Sequence, residues 1–255
     1  MTHRLAGRHV LLIRSQRLGD DFLNLLRATK AKVTHTPVID VVPGVNETKI
    51  TQQILAFDEV DIAIFVSVHA GALAMDWLDQ YWPMLPQGVS YFAIGQQTEA
   101  VLKPSVHKVF RPEKDVSSEG LLRMPGLQNV RGKDVMIFRG SAGRELIYDE
   151  LASRGARVSY CDVYARVVND DQVKNALSHL NSIDYLVAHS GELLRALGRY
   201  ADFQSYIGEN RFTVVVPSTR VAEIAGELGY GSIVEAESAL PQSMYHALCN
   251  AAANH

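Results

Sequence analysis

The chain has 255 residues, of which 47% are hydrophobic and 21% are charged, which is the balance of a soluble globular protein with one large or two small domains. Its formal net charge of −3 argues against a general nucleic-acid or membrane surface. No run approaches eighteen apolar residues and no basic-then-apolar leader opens the sequence, so we expect a cytoplasmic protein.

Short apolar segments alternate with helical patterns of roughly ten residues along the whole chain, which predicts βαβ crossovers and parallel sheets with helices on both faces. Polar or small residues bound each segment, as turns do. The alternation predicts strands near 9–13, 33–36, 62–66, 89–94, 107–111, 134–138, 157–161, 184–188, 212–216 and 232–235. Ten strands make two five-stranded sheets. Segments 117–122 and 241–248 are predicted to be the closing helix of each sheet, the first with a Ser cap.

The sequence repeats itself at an offset of 125 residues. Arg8–Val33 lies on Lys133–Val158 without a gap, and five of the 26 pairs are identical, including Val10 on Val135 and Leu26 on Leu151. The apolar helix face of Leu18, Phe22, Leu25 and Leu26 matches that of Leu146, Ile147 and Leu151. At an offset of 123, segment 61–73 lies on 184–196 and segment 91–102 on 214–225. The chain is therefore predicted to be a duplicated α/β unit of about 125 residues.

An extended, β-rich segment follows the second strand of each copy. These segments are "PVIDVVP" at 37–43 and "VYARVV" at 163–168, and both are predicted to be linkers. Two arrangements fit the spacing. The domains are either consecutive, with a boundary near 125, or the chain leaves the first domain at 37, builds the second and returns at 168.

Small and hydroxyl residues follow nearly every predicted strand. Ligands of open parallel sheets bind at the carboxyl ends of the strands, where helix N-termini present free N–H groups to anions. Helix capping is the alternative role at any one position. Recurrence in both copies nevertheless favours a shared anionic-ligand cleft lined by Ser15, Ser67, Gly95, Thr98, Gly140, Ser141, Gly143, Ser190, Gly191, Ser218 and Thr219.

Charged and aromatic residues add further candidates at the same strand ends. Arg14 and Arg139 occupy equivalent positions after the first strand of each copy, where each either binds a ligand carboxylate or forms an internal ion pair. Arg220 follows Ser218, with an ordinary exposed helix charge as its alternative role. Tyr164 lies in the second linker, where its phenol either packs on a neighbouring domain or exchanges a proton with a ligand.

Several cofactor motifs are missing from the sequence. No G-x-x-x-x-G-K-[ST], H-E-x-x-H, C-x-x-C or G-x-S-x-G occurs, and "RGSAGRE" gives only a weak dinucleotide fingerprint. The sequence therefore gives no support for a metal site or a P-loop. Cys161 and Cys249 are expected to be buried and reduced.

The strongest pattern, "GKDVMIFRGSAGRELIYDELASRGARVSYCDVYAR" at 132–166, resembles the uroporphyrinogen-III synthase family. Segments 63–73, 93–102, 117–122 and 216–239 support the resemblance, which covers nearly the whole chain. The sequence departs from the family pattern at three positions. His69 stands where the family often has Asn, His189 where a small or hydroxyl residue is usual, and Val221 where many members have Thr.

The resemblance implies an α/β fold of two similar domains, each a five-stranded parallel sheet flanked by helices, joined by a two-stranded β linker. The first domain would comprise 1–37 plus 168–255, the second 43–162, and the linker 38–42 and 163–167, with the active site in the cleft between the domains. Of the two arrangements that fit the spacing, the resemblance therefore favours the discontinuous one.

The resemblance also implies the reaction: hydroxymethylbilane, a linear tetrapyrrole with eight carboxylates, closes to uroporphyrinogen III with inversion of ring D and loss of water, in tetrapyrrole (heme) biosynthesis. The resemblance implies that the reaction needs neither cofactor nor metal. We expect a monomer because no exposed apolar helix stripe stands out, and no nucleic-acid or membrane partner because the net charge is −3. Tyr164 is the implied proton donor to the leaving hydroxyl. The predicted substrate-binding residues are Arg14, Ser67, Gly95, Thr98, Arg139, Gly140, Ser141, Ser190, Gly191, Ser218, Thr219 and Arg220.

A non-enzymatic alternative uses the same features. Duplicated α/β lobes with a hinge also serve cytoplasmic small-anion binding modules. A thermal-shift screen separates the two hypotheses, because a module would be stabilised by a simple metabolite and not by tetrapyrroles.

Overall fold

A computed structural model describes residues 4–15, 20–200, 203–207 and 212–253. Its strands are β1 (His9–Leu12), β2 (Lys32–His35), β3 (Ile39–Pro43), β4 (Ile62–Phe65), β5 (Ser90–Ala93), β6 (Val109–Phe110), β7 (Asp134–Gly140), β8 (Arg157–Val168), β9 (Tyr185–Val187), β10 (Thr213–Val216) and β11 (Ile233–Glu235). Its α-helices are α1 (Asp21–Arg27), α2 (Glu47–Leu55), α3 (Val68–Tyr81), α4 (Gln96–Leu102), α5 (Ser118–Leu122), α6 (Leu146–Ser153), α7 (Asp170–His179), α8 (Gly191–Gly198), α9 (Phe203–Ile207), α10 (Thr219–Glu227) and α11 (Pro241–Ala251). The predicted α/β class with parallel sheets flanked by helices is confirmed.

The chain folds as two compact units, of which the first comprises Met1–Asp40 with Val167–His255. Its sheet has the strand order β11-β10-β9-β1-β2, and every neighbouring pair is parallel. Side chains of β1 alternate between the two faces, because Leu11 packs with residues of α7, α8 and α10 whereas Val10 and Leu12 pack with α1 and α11. Both faces are therefore buried, which explains why β1 is an uninterrupted apolar run.

The second unit comprises Val41–Arg166, and its six-stranded sheet has the order β3-β8-β7-β4-β5-β6. Phe65 and Phe138 stack on one face with ring centroids 4.7 Å apart, beneath α2 and α3. Ile64 and Ile137 lie on the opposite face with residues of α5 and α6. This sheet is buried on both sides in the same way as the first.

The predicted duplication is visible in the strand order of the two sheets. Reading β6-β5-β4-β7-β8 against β11-β10-β9-β1-β2 pairs β7 with β1 and β4 with β9, as the sequence offsets require. Repeated residues also occupy matching layers, since Val10 and Leu26 share one cluster and Val135 and Leu151 share its counterpart. Leu18, which was assigned to the first helix face, lies outside the described residues.

The count of five strands per sheet is wrong for the second unit. The segment predicted as a separate second linker continues the strand before it, so β8 runs for 12 residues from Arg157 to Val168. The first predicted linker forms β3, which joins the same sheet beside β8. The backbone N–H of Gly44 still donates to the carbonyl of Val163 at 2.9 Å just beyond β3. Extended linker backbone therefore completes its hydrogen bonds by adding to the sheet.

The predicted closing helices and buried cysteines are confirmed. Ser117 caps α5 by accepting the N–H of Gly120 at 3.0 Å, and α11 covers the predicted 241–248 segment. Cys161 and Cys249 are both buried free thiols, and burial raises the pKa of the Cys161 thiol to about 12. Across the described part of the chain, no helix has the length and apolar character needed to cross a membrane.

Candidate active site

Tyr164 is positioned by a β-bulge at the carboxyl end of β7 in the second unit. Arg139 pairs with Asp162, but the next residue, Gly140, pairs with Tyr164, so that Val163 is the extra residue in β8. The N–H of Ser141 donates to the Tyr164 carbonyl at 2.9 Å and holds the strands together beyond the bulge. Bulges of this kind re-aim side chains, and here the phenol ring is placed directly over Gly140.

The Tyr164 phenol meets a hydroxyl from the neighbouring strand end. Ser67 follows β4 and is the N-cap of α3, where its Oγ accepts the N–H of Ala70 at 3.0 Å. The same Oγ lies 3.3 Å from the Tyr164 Oη. His69, in the first turn of α3, has its ring centroid 6.0 Å from that of Tyr164. Two of the predicted site residues, Ser67 and Tyr164, are thus in hydrogen-bonding contact.

Arg139 lies beside this pair and forms internal ion pairs. Its guanidinium, which is almost fully buried, contacts Glu145 at 3.0 Å and Asp162 at 3.4 Å. It also covers the ring of Tyr160, with 3.9 Å between its Cζ and the ring centroid. A hydrogen bond from Tyr160 at 2.6 Å, together with Arg139, lowers the pKa of the Glu145 carboxyl. The internal ion pair considered for Arg139 is therefore present.

A cavity of about 190 Å³ opens at this end of the second unit. Its lining includes Arg139, Tyr160 and Tyr164, together with Ser118 at the start of α5 and the exposed Arg144. Arg144 donates to Glu119 at 2.8 Å. Hydrogen bonding to its own backbone N–H and to Arg144 lowers the pKa of the Glu119 carboxyl. The cavity thus combines phenol groups with two arginines, each paired to a carboxylate of the protein.

The remaining predicted residues of this unit have different environments. Gly95 is the N-cap of α4, and a Cβ there would lie 2.7 Å from Cγ1 of the exposed Val116, whose side chain would have to move. Thr98 is 2% exposed and packs against α3, so it does not present its side chain to solvent. Ser141 is exposed at the end of β7. The sequence prediction thus grouped buried packing positions with exposed ones.

The first unit carries a related arrangement around Arg14. Its Nε lies 3.3 Å from the carboxylate of Asp20, which caps α1, and both side chains are buried. An Arg14 N–H also donates to Nε2 of His189 at 3.1 Å, so that this nitrogen of His189 carries a lone pair. His35 donates from Nε2 to the Arg14 carbonyl at 2.8 Å. Arg14 is therefore held by an internal ion pair, as Arg139 is.

The other predicted residues of the first unit lie at two helix N-termini. Ser190 and Ser218 are the N-cap residues of α8 and α10, and within the described ranges neither side chain makes a capping hydrogen bond. Gly191 allows close packing, because a Cβ would lie 2.4 Å from Ile224. Thr219 donates to Glu235 at 2.8 Å, and Arg220 is exposed. The two serine hydroxyls thus lie beside the N-termini of α8 and α10 without bonding to them.

A family model described as "Uroporphyrinogen-III synthase HemD" matches residues 20–246. The chain belongs to the uroporphyrinogen-III synthase family. Uroporphyrinogen-III synthases of Escherichia coli K12 and Salmonella typhimurium LT2 are 34% and 33% identical to it, each over 94% of this chain and 99% of the relative.

Solved structures share the fold of this family member. A mutant uroporphyrinogen III synthase of Thermus thermophilus matches with a TM-score of 0.63 and 18% identity, over 98% of this chain and 100% of that one. The enzyme from Helicobacter pylori 26695 matches with a TM-score of 0.60 and 15% identity, over 95% of this chain and 99% of that one.

Sequence reasoning missed several residues that pair with the predicted ones or line the same cavity. Asp20 and Glu145 are separated by the repeat offset of 125, and each follows its arginine by six residues. Both residues are acidic and occupy equivalent positions in the two copies. A comparison of side-chain charge between the copies, and not only of residue identity, would therefore have found both ion pairs. Glu119, Arg144 and Tyr160 had no such signal, because their contacts depend on how α5 and β8 pack. No cluster of three or more metal-ligating side chains occurs among the residues that the structure describes.

Proposed function

We propose that this protein is a uroporphyrinogen-III synthase, a lyase that closes hydroxymethylbilane to uroporphyrinogen III with loss of water and inversion of ring D. Its membership of the family is the foundation of this proposal. The single geometric observation that supports it best is the contact between Ser67 and Tyr164 at the strand ends of the second unit. The phenol of Tyr164 also lines a cavity that contains arginine side chains, which supports a role as proton donor.

Tyr164 is proposed as the catalytic acid. Its proton goes to the oxygen of the substrate's hydroxymethyl group, and the C–O bond breaks with loss of water. An electrophilic azafulvene that keeps its pyrrole N–H, and therefore carries one positive charge, remains beside the phenolate. The substituted carbon of ring D attacks the methylene carbon from which the hydroxyl left. This forms a spiro intermediate, which fragments and recloses with ring D inverted. The proton that ring D finally loses restores the phenol. The sum is loss of one water, with no net oxidation or reduction, so the balance requires neither an electron acceptor nor a donor.

The cavity beside Tyr164 is proposed to receive one acid side chain of the substrate. A volume of about 190 Å³ accommodates an acetate or propionate group. Arg144 is 69% exposed at its side chain and shares one hydrogen bond with Glu119, so it can turn from Glu119 to a substrate carboxylate. Arg139 is held in place by Glu145 and Asp162, which balance its charge within the protein. The side chain of Arg144 is therefore the proposed mobile contact.

Residues of the first unit are proposed as further substrate contacts. The hydroxyls of Ser190 and Ser218 lie beside backbone N–H groups of α8 and α10, whose N-termini favour carboxylates. Arg220 adds an exposed positive charge in the first turn of α10. A substrate with eight carboxylates can be held by such groups although the protein has a net charge of −3.

We also propose the domain organisation implied by the family. The first domain is 1–37 plus 168–255, the second is 43–162, and segments 38–42 and 163–167 join them. The division into compact units at residues 40/41 and 166/167 supports this assignment. We further propose that the enzyme is a monomer that needs neither cofactor nor nucleic acid. The negative net charge supports the last part of this statement.

Turnover tests the proposed function against a binding module. Hydroxymethylbilane is mixed with about one-hundredth of its molar amount of purified protein, and its disappearance is followed above the spontaneous rate. The synthase consumes many equivalents, and Tyr164→Phe consumes them far more slowly while unfolding at the same temperature. A binding module removes at most one molecule of hydroxymethylbilane per molecule of protein. The proposal is refuted if consumption stops at that point or never exceeds the spontaneous rate.

A further inference from the structure

The hydroxyl of Ser67 has only one proton to donate, and its surroundings restrict where that proton can go. One lone pair of Oγ is occupied, because it accepts the Ala70 N–H at 3.0 Å. The Tyr164 Oη lies 3.3 Å away, and only one of the two hydroxyl protons can lie between the oxygens. The pair therefore has two arrangements. Either Tyr164 donates to Ser67, or Ser67 donates to Tyr164.

The two arrangements have opposite consequences for proton transfer. When Tyr164 donates to Ser67, the phenol proton is occupied and cannot reach a substrate. When Ser67 donates to Tyr164, the phenol proton is directed outward and a chain of bonds runs from the Ala70 N–H through both hydroxyls. Accepting an N–H at the positive end of α3 makes the Ser67 hydroxyl a better donor, and successive bonds in one direction strengthen each other.

We propose that Ser67 is a positioning residue for the reaction, an inference that rests on the proposed function. With substrate bound, Ser67 donates to the Tyr164 Oη, directs the phenol proton toward the leaving hydroxyl, and stabilises the phenolate that remains. A hydrogen bond donated to an ionised oxygen is stronger than one donated to a neutral oxygen, so the benefit increases as the proton leaves. Ser67 itself does not exchange a proton with the substrate.

The position of the Tyr164 ring is fixed by its neighbours, which supports this role. The ring lies over Gly140, whose missing side chain leaves room for it, and the strand backbone is tied by the Ser141 N–H at 2.9 Å. Among the described residues, charged and titratable groups near the phenol include His69 on α3 and, around the cavity, Arg139 with its partners Glu145 and Asp162, Arg144 and Tyr160. Ser67 is the residue whose hydroxyl contacts Oη at 3.3 Å. The direction of the phenol proton is therefore set at Ser67.

The test combines substitutions of Ser67 with a double-mutant cycle on the full-length protein. Ser67→Ala is expected to lower kcat for the type III product by about tenfold or more, with KM changed less than about twofold. Ser67→Thr keeps the hydroxyl and is expected to recover kcat to within about threefold. Ser67→Gly keeps a tolerated N-cap and lacks the hydroxyl, so it separates capping from proton direction and is expected to match Ser67→Ala.

The cycle provides the measurement that a purely structural role would not change. In a Tyr164→Phe background, Ser67→Ala is expected to cause no further loss beyond about twofold, because Ser67 acts through the phenol. Asn46→Ala is the matched control: it removes an N-cap bond of the same length, 3.0 Å to the Lys49 N–H, from α2 of the same unit. It is expected to lower the unfolding temperature as Ser67→Ala does, without affecting kcat.

The inference is overturned if Ser67→Ala leaves kcat unchanged, or if its loss is undiminished without the Tyr164 hydroxyl. The inference is also overturned if Ser67→Gly retains as much of the kcat as Ser67→Thr does. Each result presupposes that the unsubstituted protein forms type III product. If that product does not form at all, it is the proposed function that fails.

Discussion

Gly140 provides a direct test of the proposed placement of Tyr164. A Cβ at this position would lie 2.6 Å from Cε2 and 2.7 Å from Cζ of the Tyr164 ring. Carbon atoms in contact prefer about 3.5–4.0 Å, so in Gly140→Ala the ring has to withdraw by roughly 1 Å. A withdrawal of that size takes the phenol out of hydrogen-bonding range of Ser67, from which it is now 3.3 Å away.

The expected kinetic loss follows from that displacement. A misplacement of about 1 Å costs on the order of 100-fold in rate, which corresponds to about 2.7 kcal/mol in the activation barrier. Gly140 does not have a positive φ, so alanine introduces no left-handed backbone strain there. The loss should therefore appear in kcat for type III product.

Gly226→Ala is the matched control, because that glycine also lacks a positive φ and, among the described residues, has no atom within 4 Å of an added Cβ. Initial rates of type III formation are compared for the two variants and the unsubstituted enzyme, together with their unfolding temperatures. Gly226→Ala should retain full activity. If Gly140→Ala, folded normally, stays within about twofold of the unsubstituted rate, the phenol does not work from its position over Gly140.

Three further predictions concern other parts of the molecule. Arg144→Gln should raise KM several-fold with little change in kcat, measured by steady-state kinetics, because a substrate carboxylate loses its mobile partner; an unchanged KM would contradict this. Tyr230→Phe should raise the free energy of unfolding by about 1 kcal/mol, seen as a rise of about 2–4 °C in unfolding temperature, because the buried Tyr230 hydroxyl has no hydrogen-bond partner in the described part of the chain; a fall would contradict this. Burial lowers the pKa of His9 in the folded protein, so as the pH falls the imidazole is protonated in the unfolded chain before it is protonated in the folded one. The free energy of unfolding, measured by denaturant titration, should therefore fall as the pH drops below about 6.5, and it should fall less steeply in His9→Gln. Equal slopes in the two proteins would exclude His9 as the source.

The fold was largely predictable because its signals are local or repeated. Apolar runs such as "VLLI" at 10–13 follow from burial on both sheet faces, and the offset of 125 paired β1 with β7 before any strand order was known. The extent of β8 was not predictable, because nothing in "VYARVV" distinguishes an extended linker from a strand that adds to a sheet. That choice depends on whether a neighbouring strand offers unpaired backbone groups.

The contacts of the candidate site residues were only partly predictable. Hydroxyl and glycine residues after strands indicated the carboxyl end of each sheet, and Ser67 and Tyr164 do meet there. Thr98 shares the same sequence signal but is buried, since its position in α4 turns it toward α3. The bulge that places Tyr164 over Gly140 is a register shift of one residue, which a sequence pattern of period two does not encode.

The isomer composition of the product tests the central claim most directly. Hydroxymethylbilane is converted completely with and without the protein, and the uroporphyrinogens are oxidised and separated by chromatography. We predict almost entirely type III with the protein and type I without it, and a shift toward type I in Gly140→Ala as spontaneous closure competes. Type I alone in the presence of folded protein would contradict the account.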